Sequence, residues 1–251
     1  ASLAGESPRI TPVDLDITVP AHIARLDEVL PPRLDAVVNN AGVAVGGPIE
    51  AVTLNDVRWQ FEVNLVGQVA VTQAVLPRLR DSRGRVLFVS SLNGRVSIPM
   101  SGVYNASKFA VEGLADALRV ELRPWGIRVV LIEPGCIDTD PWRDMMDLLD
   151  QVADTMPPGQ RDLYAPHLAG QRQVCAKLQR QTRPTAVVAR AIERALTSRR
   201  PRARQIVGRD ARMLLALRAA LPTRLLDAMW ARGLKLPADL APGGLGVTAG
   251  G

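Results

Sequence analysis

Two cysteines, two histidines and three lysines are all that 251 residues contain of these types, and each scarcity excludes something. Cys136 and Cys175 make neither a disulfide framework nor a set of metal ligands, so a reducing compartment and no metal centre are expected. No run approaches the ~20 apolar residues of a membrane-spanning helix, and the N-terminal residues lack the charged-then-apolar pattern of a secretory signal. A soluble, cytoplasmic protein is the expectation. Lysine is rare while Arg, Ala, Pro and Gly are plentiful, a bias of GC-rich bacterial coding. Between Arg199 and Lys235 ten basic residues stand against Asp210 and Asp227, a local excess of +8 in a chain of net charge +6. The high pI belongs to that region and is no sign of nucleic-acid binding.

What is present centres on one stretch. Val86-Leu87-Phe88-Val89 follows the breaker Gly84 and ends in Ser90-Ser91, which reads as a short buried strand. A loop with Gly94, Pro99 and Gly102 comes next, and then a helix from about Val103 toward Arg123, with apolar residues at three- and four-residue steps. Tyr104 and Lys108 therefore lie one turn apart on one helix face, with Cβ atoms about 5–6 Å from each other.

These residue types suit one chemistry. A tyrosine hydroxyl titrates near pH ~10, so acid/base work at neutral pH needs a shift of roughly three units, about 4 kcal/mol. A lysine ammonium beside it favours the phenolate by charge attraction. Ser91, a neutral donor, can hold the oxygen of a carbonyl or alcohol while the tyrosine moves a proton. No side chain supplies the hydride that such a redox step also requires, so a nicotinamide cofactor is implied.

The spacing of Ser91, Tyr104 and Lys108 within VSSLNGRVSIPMSGVYNASKFA closely resembles the short-chain dehydrogenase/reductase family. The resemblance implies an α/β fold, a Rossmann-like doubly wound parallel sheet. It also implies an oxidoreductase that uses NAD or NADP, with Asn64 of Asn64-Leu65-Val66-Gly67 completing a catalytic set with Ser91, Tyr104 and Lys108. By the same resemblance Asn39, Ala41 and Gly42 of Asn39-Asn40-Ala41-Gly42 lie under the adenosine side of the cofactor, and Asp16 contacts the adenine. Lys108 lowers the tyrosine pKa and, with Tyr104, binds the nicotinamide ribose. Pro134, Gly135, Ile137 and Thr139, at the end of the Gly126–Ile132 strand, orient the carboxamide through the Ile137 backbone and the Thr139 hydroxyl. Trp125-Gly126-Ile127-Arg128 and Ile132-Glu133-Pro134-Gly135 resemble steroid- and retinol-type members. A hydrophobic steroid-, retinol- or fatty-type alcohol or carbonyl is the implied substrate, and a homodimer or homotetramer paired through two long helices is the implied assembly.

The rest of the chain reads as further strand and helix units. Val13 to Thr18 is expected to be a strand ending in a turn, Pro20 to Leu30 a helix, and Leu34 to Val38 a strand. Thr53 to Leu79 is expected to be one long helix capped by Thr53 or Asn55. Residues 140–183 are either a mobile lid over an apolar pocket or helices packed on the sheet. Pro184 to Leu196 is an amphipathic helix and Arg204 to Val207 a last strand. The segment 210–236 forms one or two helices split at Pro222. Its apolar face packs on the domain or a neighbouring subunit, or rests on an anionic membrane surface. Residues 1–240 are expected to be a single domain and 241–251 a disordered tail.

The family's site opens with a strand, a glycine-rich turn and a helix. No such turn stands upstream of Asp16, and the residues that choose between NAD and NADP would precede Ala1. The expectation is therefore an N-terminally incomplete domain lacking the family's first strand-helix-strand unit. The alternative is a catalytically inactive binding or interaction protein derived from a dehydrogenase.

Overall fold

A computed structural model describes residues 9–236. Two short helices, α1 (Pro20–Ala24) and α2 (Leu26–Val29), lead into strand β1 (Ala36–Asn39). Helix α3 (Leu54–Phe61) runs through a π-helical stretch, Glu62–Gly67, into α4 (Gln68–Ser82). Strand β2 (Arg85–Val89), helix α5 (Gly102–Glu121) and strand β3 (Arg128–Pro134) form the middle of the chain. After them come β4 (Ile137–Asp138), α6 (Asp140–Arg143), α7 (Met145–Thr155), α8 (Pro158–Gln179) and β5 (Arg183–Pro184). Helix α9 (Ala186–Thr197), strand β6 (Arg204–Val207) and helices α10 (Arg209–Ala220) and α11 (Thr223–Gly233) complete the described chain.

The main sheet has the order β1-β2-β3-β6 with parallel pairing throughout. Alternation along the central strands feeds two cores. Val86, Phe88, Val129 and Leu131 pack with Val75 and Leu79 of α4 and Val111 and Ala115 of α5. Leu87, Val130 and Ile132 point the other way, onto Ala191 and Ala195 of α9. Both faces being covered is why these strands are apolar runs rather than half-polar ones. The fold is the expected Rossmann-like, doubly wound parallel sheet.

Three expectations change. No strand forms over Val13 to Thr18: Asp16 Oδ1 accepts from Thr18 N at 2.9 Å and from Thr18 Oγ1 at 2.7 Å, and Val19 N donates to Asp16 O at 3.1 Å. This local turn takes the hydrogen bonds a strand would need from a neighbour. The helix expected from Pro20 to Leu30 is two short helices meeting at Arg25. The long helix is capped by Thr53, whose hydroxyl accepts from Asp56 N at 3.1 Å, but it is not uniformly α-helical, since a π-helical turn surrounds Asn64.

Helices α7 and α8 lie against the domain, with Ala153, Met156 and Leu168 packed on Met100 and Ala51. Tyr164 Oη donates to Glu50 Oε2 at 2.9 Å, fastening α8 to the loop after β1. The apolar face of α10 and α11 packs on the domain as well, Ala211, Leu215 and Trp230 meeting Leu92 and Val96. Among the described residues no helix is long and apolar enough to cross a membrane. The tail expected at 241–251 lies outside the described residues.

Candidate active site

The C-terminal ends of β1, β2 and β3 carry the residues singled out by their sequence. Strand β2 ends at Val89, and Ser91 follows in extended conformation, its hydroxyl accepting from Asn93 N at 3.2 Å to open a single helical turn, Leu92–Gly94. Asn93 Nδ2 donates to Asn105 Oδ1 at 2.8 Å, and Asn105 Nδ2 to Ile98 O at 2.8 Å, so the loop is tied to the first turn of α5. That fixes Ser91 relative to Tyr104, close enough for its hydroxyl to act against the effect of burial on the tyrosine.

Lys108 lies one turn beyond Tyr104, its Nζ 5.8 Å from the centre of the tyrosine ring. The ammonium donates to Val89 O at 3.0 Å and the residue is only 4 % exposed. Burial lowers its pKa to about 8, against the opposing pull of the Glu112 carboxylate. The Tyr104 hydroxyl is pushed up by burial, and the neighbouring Ser91 hydroxyl works the other way.

Asn64 is fully buried in the π-helical stretch, a local widening that recurs at functional sites. Its Oδ1 accepts from Val43 N at 2.8 Å, and its Nδ2 donates to Val43 O and to Ser107 Oγ, both at 3.0 Å. Ser107 Oγ donates in turn to Tyr104 O at 2.9 Å, which joins Asn64 to the helix that carries the tyrosine.

A row of polar residues that sequence reasoning left unremarked extends this grip. Gln60 Oε1 accepts from Val45 N and its Nε2 donates to Val43 O, both at 2.6 Å. Gln68 Nε2 donates to Ala41 O at 2.7 Å, and Asn39 Nδ2 to Thr72 Oγ1 at 2.9 Å. Gln60, Asn64, Gln68 and Thr72 recur every fourth residue and are all buried. The signal was the spacing itself: four polar residues on one helix face where an apolar stripe belongs. Gln60, Asn64 and Gln68 satisfy the backbone of residues 41–45, which has left the sheet, and Thr72 holds the Asn39 side chain.

Gly42 lies at the centre of the group. A Cβ there would come within 3.4 Å of Asn64 Oδ1 and 3.6 Å of Lys108 Nζ, so its absence keeps the approach to the ammonium clear. On the neighbouring strand, Gly135 N donates to Val207 O at 2.9 Å and Cys136 N to Asp210 Oδ2 at 2.7 Å. Asp210 fills the space a side chain on Gly135 would need. Burial, followed by the Asp210 carboxylate, pushes the Cys136 thiol up to about 12. Ile137 is buried and pairs with Arg183 of β5. Thr139 begins α6 with its carbonyl accepting from Trp142 N and Arg143 N, and its hydroxyl makes no capping bond, which leaves it free for a ligand.

The fold thus gathers Asn64, Ser91, Tyr104, Lys108 and Gly42 into one group, with Asn39 and Ala41 clasped to α4 beside it. Pro134, Gly135, Ile137 and Thr139 occupy the end of the adjacent strand. Asp16 stands apart in an exposed turn seated on Gly67, where a Cβ would meet Ile17 O at 2.8 Å. The carboxyl ends of parallel strands are where such sheets bind dinucleotides, and the Lys108 ammonium and Thr139 hydroxyl stand there as groups that could hold the nicotinamide end.

A model of the short chain dehydrogenase family matches residues 1–147. Short-chain dehydrogenase/reductase family 9C member 7 of Mus musculus is 37% identical over 218 residues, which are 85% of this chain and 69% of that protein. Retinol dehydrogenase 16 of Homo sapiens is 34% identical over 234 residues, 89% of this chain and 73% of that one. Among solved structures, a short chain dehydrogenase from Burkholderia cenocepacia in complex with NADP superposes with a TM-score of 0.69 at 25% identity, over 91% of this chain and 81% of that one.

Proposed function

The chain belongs to the short-chain dehydrogenase family, oxidoreductases that act on CH–OH groups with NAD or NADP, and we propose that it interconverts a hydroxyl and a ketone or aldehyde with Tyr104 as acid/base. The observation that carries this reading is the buried Lys108 ammonium beside the Tyr104 ring, with the Ser91 hydroxyl close to the tyrosine. The bound nicotinamide supplies or accepts the hydride. Ser91 holds the substrate oxygen, and Tyr104 gives it a proton or takes one. Lys108 stabilises the phenolate by its charge, and burial strengthens that attraction. Asn64 holds the loop against which the lysine lies and supports the proton path. Gly42, Pro134, Gly135, Ile137 and Thr139 border the cofactor with Asn39 and Ala41, and Asp16 contacts the adenine.

The substrate in this reading is hydrophobic, of the steroid, retinol or fatty-alcohol kind. Its support is the apolar content of α7, which carries Met145, Met146, Leu148 and Leu149, and the similarity to a protein named retinol dehydrogenase. In the same reading 140–183 is the lid of a single domain. Two copies pair through α3–α4 and α5, whose outer faces expose Trp59, Val66 and Phe109.

The test is a titration of the purified chain with each reduced nicotinamide dinucleotide, followed by energy transfer from tryptophan. A screen of hydrophobic alcohols and ketones comes next. Saturable binding, and turnover that Tyr104→Phe lowers by orders of magnitude, are expected. Binding without any turnover across the screen would refute the catalytic reading.

A further inference from the structure

Behind Lys108 the helix does not end in apolar packing. Glu112, one turn further along α5, is 6 % exposed, and Glu133 on β3 is fully buried. Between them stands Arg204 of β6: its Nε lies 3.1 Å from Glu112 Oε2 and 3.2 Å from Glu133 Oε1, while its Nη2 reaches both oxygens of Asp116 at 2.7 Å. Arg95, from the loop after β2, closes on Glu133 Oε2 at 3.2 Å. Glu112 Oε1 is buried and has no hydrogen-bond partner. Gly94 seals the cluster, since a Cβ there would lie 2.9 Å from Glu112 Cγ and 3.0 Å from Lys108 O.

We propose that Glu112 is a positioning residue for the reaction: clamped by Arg204 from β6, it keeps a carboxylate one helical turn beyond Lys108 and so holds the lysine in its charged form. The proposal rests on the reading of Lys108 given above. The charged groups around Glu112 are Lys108 on its own helix, Glu133 from β3 and Arg204 from β6, with Asp116 on the other end of Arg204 and Arg95 from the loop on Glu133. Three carboxylates there meet two guanidiniums, and Arg119 also binds Asp116. Glu112 and Glu133 each keep one buried oxygen without a hydrogen bond, that of Glu133 lying 3.2 Å from Arg204 Nε, and Lys108 is the ammonium buried without a carboxylate contact of its own. Burial draws the Lys108 pKa down and Glu112 draws it up. Burial and then the Glu112 charge raise the Glu133 carboxyl, against the pull of Arg95 and Arg204.

The chain has three lysines, which makes a direct measurement simple. With Lys177 and Lys235 replaced by arginine, the one remaining lysine signal in a nitrogen-15 NMR titration reports Lys108. It is expected to titrate near about 8. Glu112→Gln is expected to lower that midpoint by about one pH unit or more, and Glu112→Asp to restore it in part. Arg204→Gln, which removes the opposing positive charge, is expected to raise it. A packing effect alone would move the Glu112→Gln and Arg204→Gln variants in the same direction. An unmoved midpoint in Glu112→Gln, or shifts of the same sign in the two variants, overturns the proposal; if Glu112→Gln does not fold, a midpoint lowered in Arg204→Gln does so alone. A failure of the catalytic reading would instead show as turnover that survives Lys108→Met while the coupling remains intact.

Discussion

Asn64 holds both polar groups of Val43, accepting from its N–H at 2.8 Å and donating to its carbonyl at 3.0 Å. One side chain in a helix thereby replaces a sheet neighbour for a residue that has left β1. Gln60 reaches the same carbonyl at 2.6 Å, so two amides share one acceptor.

That sharing predicts non-additivity. Asn64→Leu or Gln60→Leu should each cost about 1–3 kcal/mol, the penalty for leaving a buried backbone group unpaired. The double variant should cost more than the sum, by about 0.5 kcal/mol or more, because the Val43 carbonyl keeps one partner in either single variant and loses both in the double. Urea unfolding of the four proteins measures this. Strict additivity would mean that the two amides act on separate groups.

Tyr104→Phe keeps the ring and its contact with Lys108 but removes the proton that moves. Turnover should fall by about 10²–10⁴-fold, the share of a positioned acid/base group, with the unfolding midpoint little changed. Tryptophan fluorescence on adding reduced dinucleotide should be the same in both proteins. Steady-state rates against the best substrate of the screen provide the comparison.

Lys108 makes activity and stability respond to alkali in opposite directions. Its folded pKa of about 8 lies below the ordinary 10.5, chiefly through burial. Between those two values the unfolded chain carries a proton that the folded one has lost, so stability rises with pH across that window. Turnover, which needs the ammonium, should fall as pH rises through about 8. Urea unfolding across the window, compared with Lys108→Met, isolates the lysine: the variant should lose that rising component. A wild type that shows no such component relative to the variant would refute the assignment.

Gly135 has no room for a side chain, because a Cβ would come to 2.7 Å from Asp210 Cγ and closer still to a carboxylate oxygen. Gly135→Ala should therefore destabilise by about 1–3 kcal/mol, the usual cost of overpacking. Removing the obstacle with Asp210→Ala should recover part of that loss, although it also strips the partner from Cys136 N. Thermal unfolding of the two single variants and the double variant tests the relation. Equal losses in Gly135→Ala with and without Asp210 would show that the carboxylate is not what the glycine avoids.

The sequence by itself determined the elements whose signals are local. The apolar runs of β2 and β3, the last strand Arg204 to Val207 and the i, i+4 pairing of Tyr104 with Lys108 follow from periodicity and chain geometry within a few residues. Resemblance brought Asn64, Ser91 and the strand-end glycines to attention, and the fold gathers most of them at one edge. Tertiary structure decided what local pattern could not. Val13 to Thr18 has the composition of a strand, yet strand hydrogen bonds must come from another segment, and Asp16 supplies a turn instead. Gln60, Gln68 and Thr72 have the composition of a solvent-facing helix side and are buried, because the loop at 41–45 needs the hydrogen bonds of the two glutamines and Asn39 that of Thr72. Glu133 stands in the sequence beside a turn, and only the meeting of α5, β3, β6 and the loop after β2 surrounds it with Arg95, Arg204 and Glu112. Charges far apart in the chain interact only once folding removes the water between them, which no local window of sequence can register.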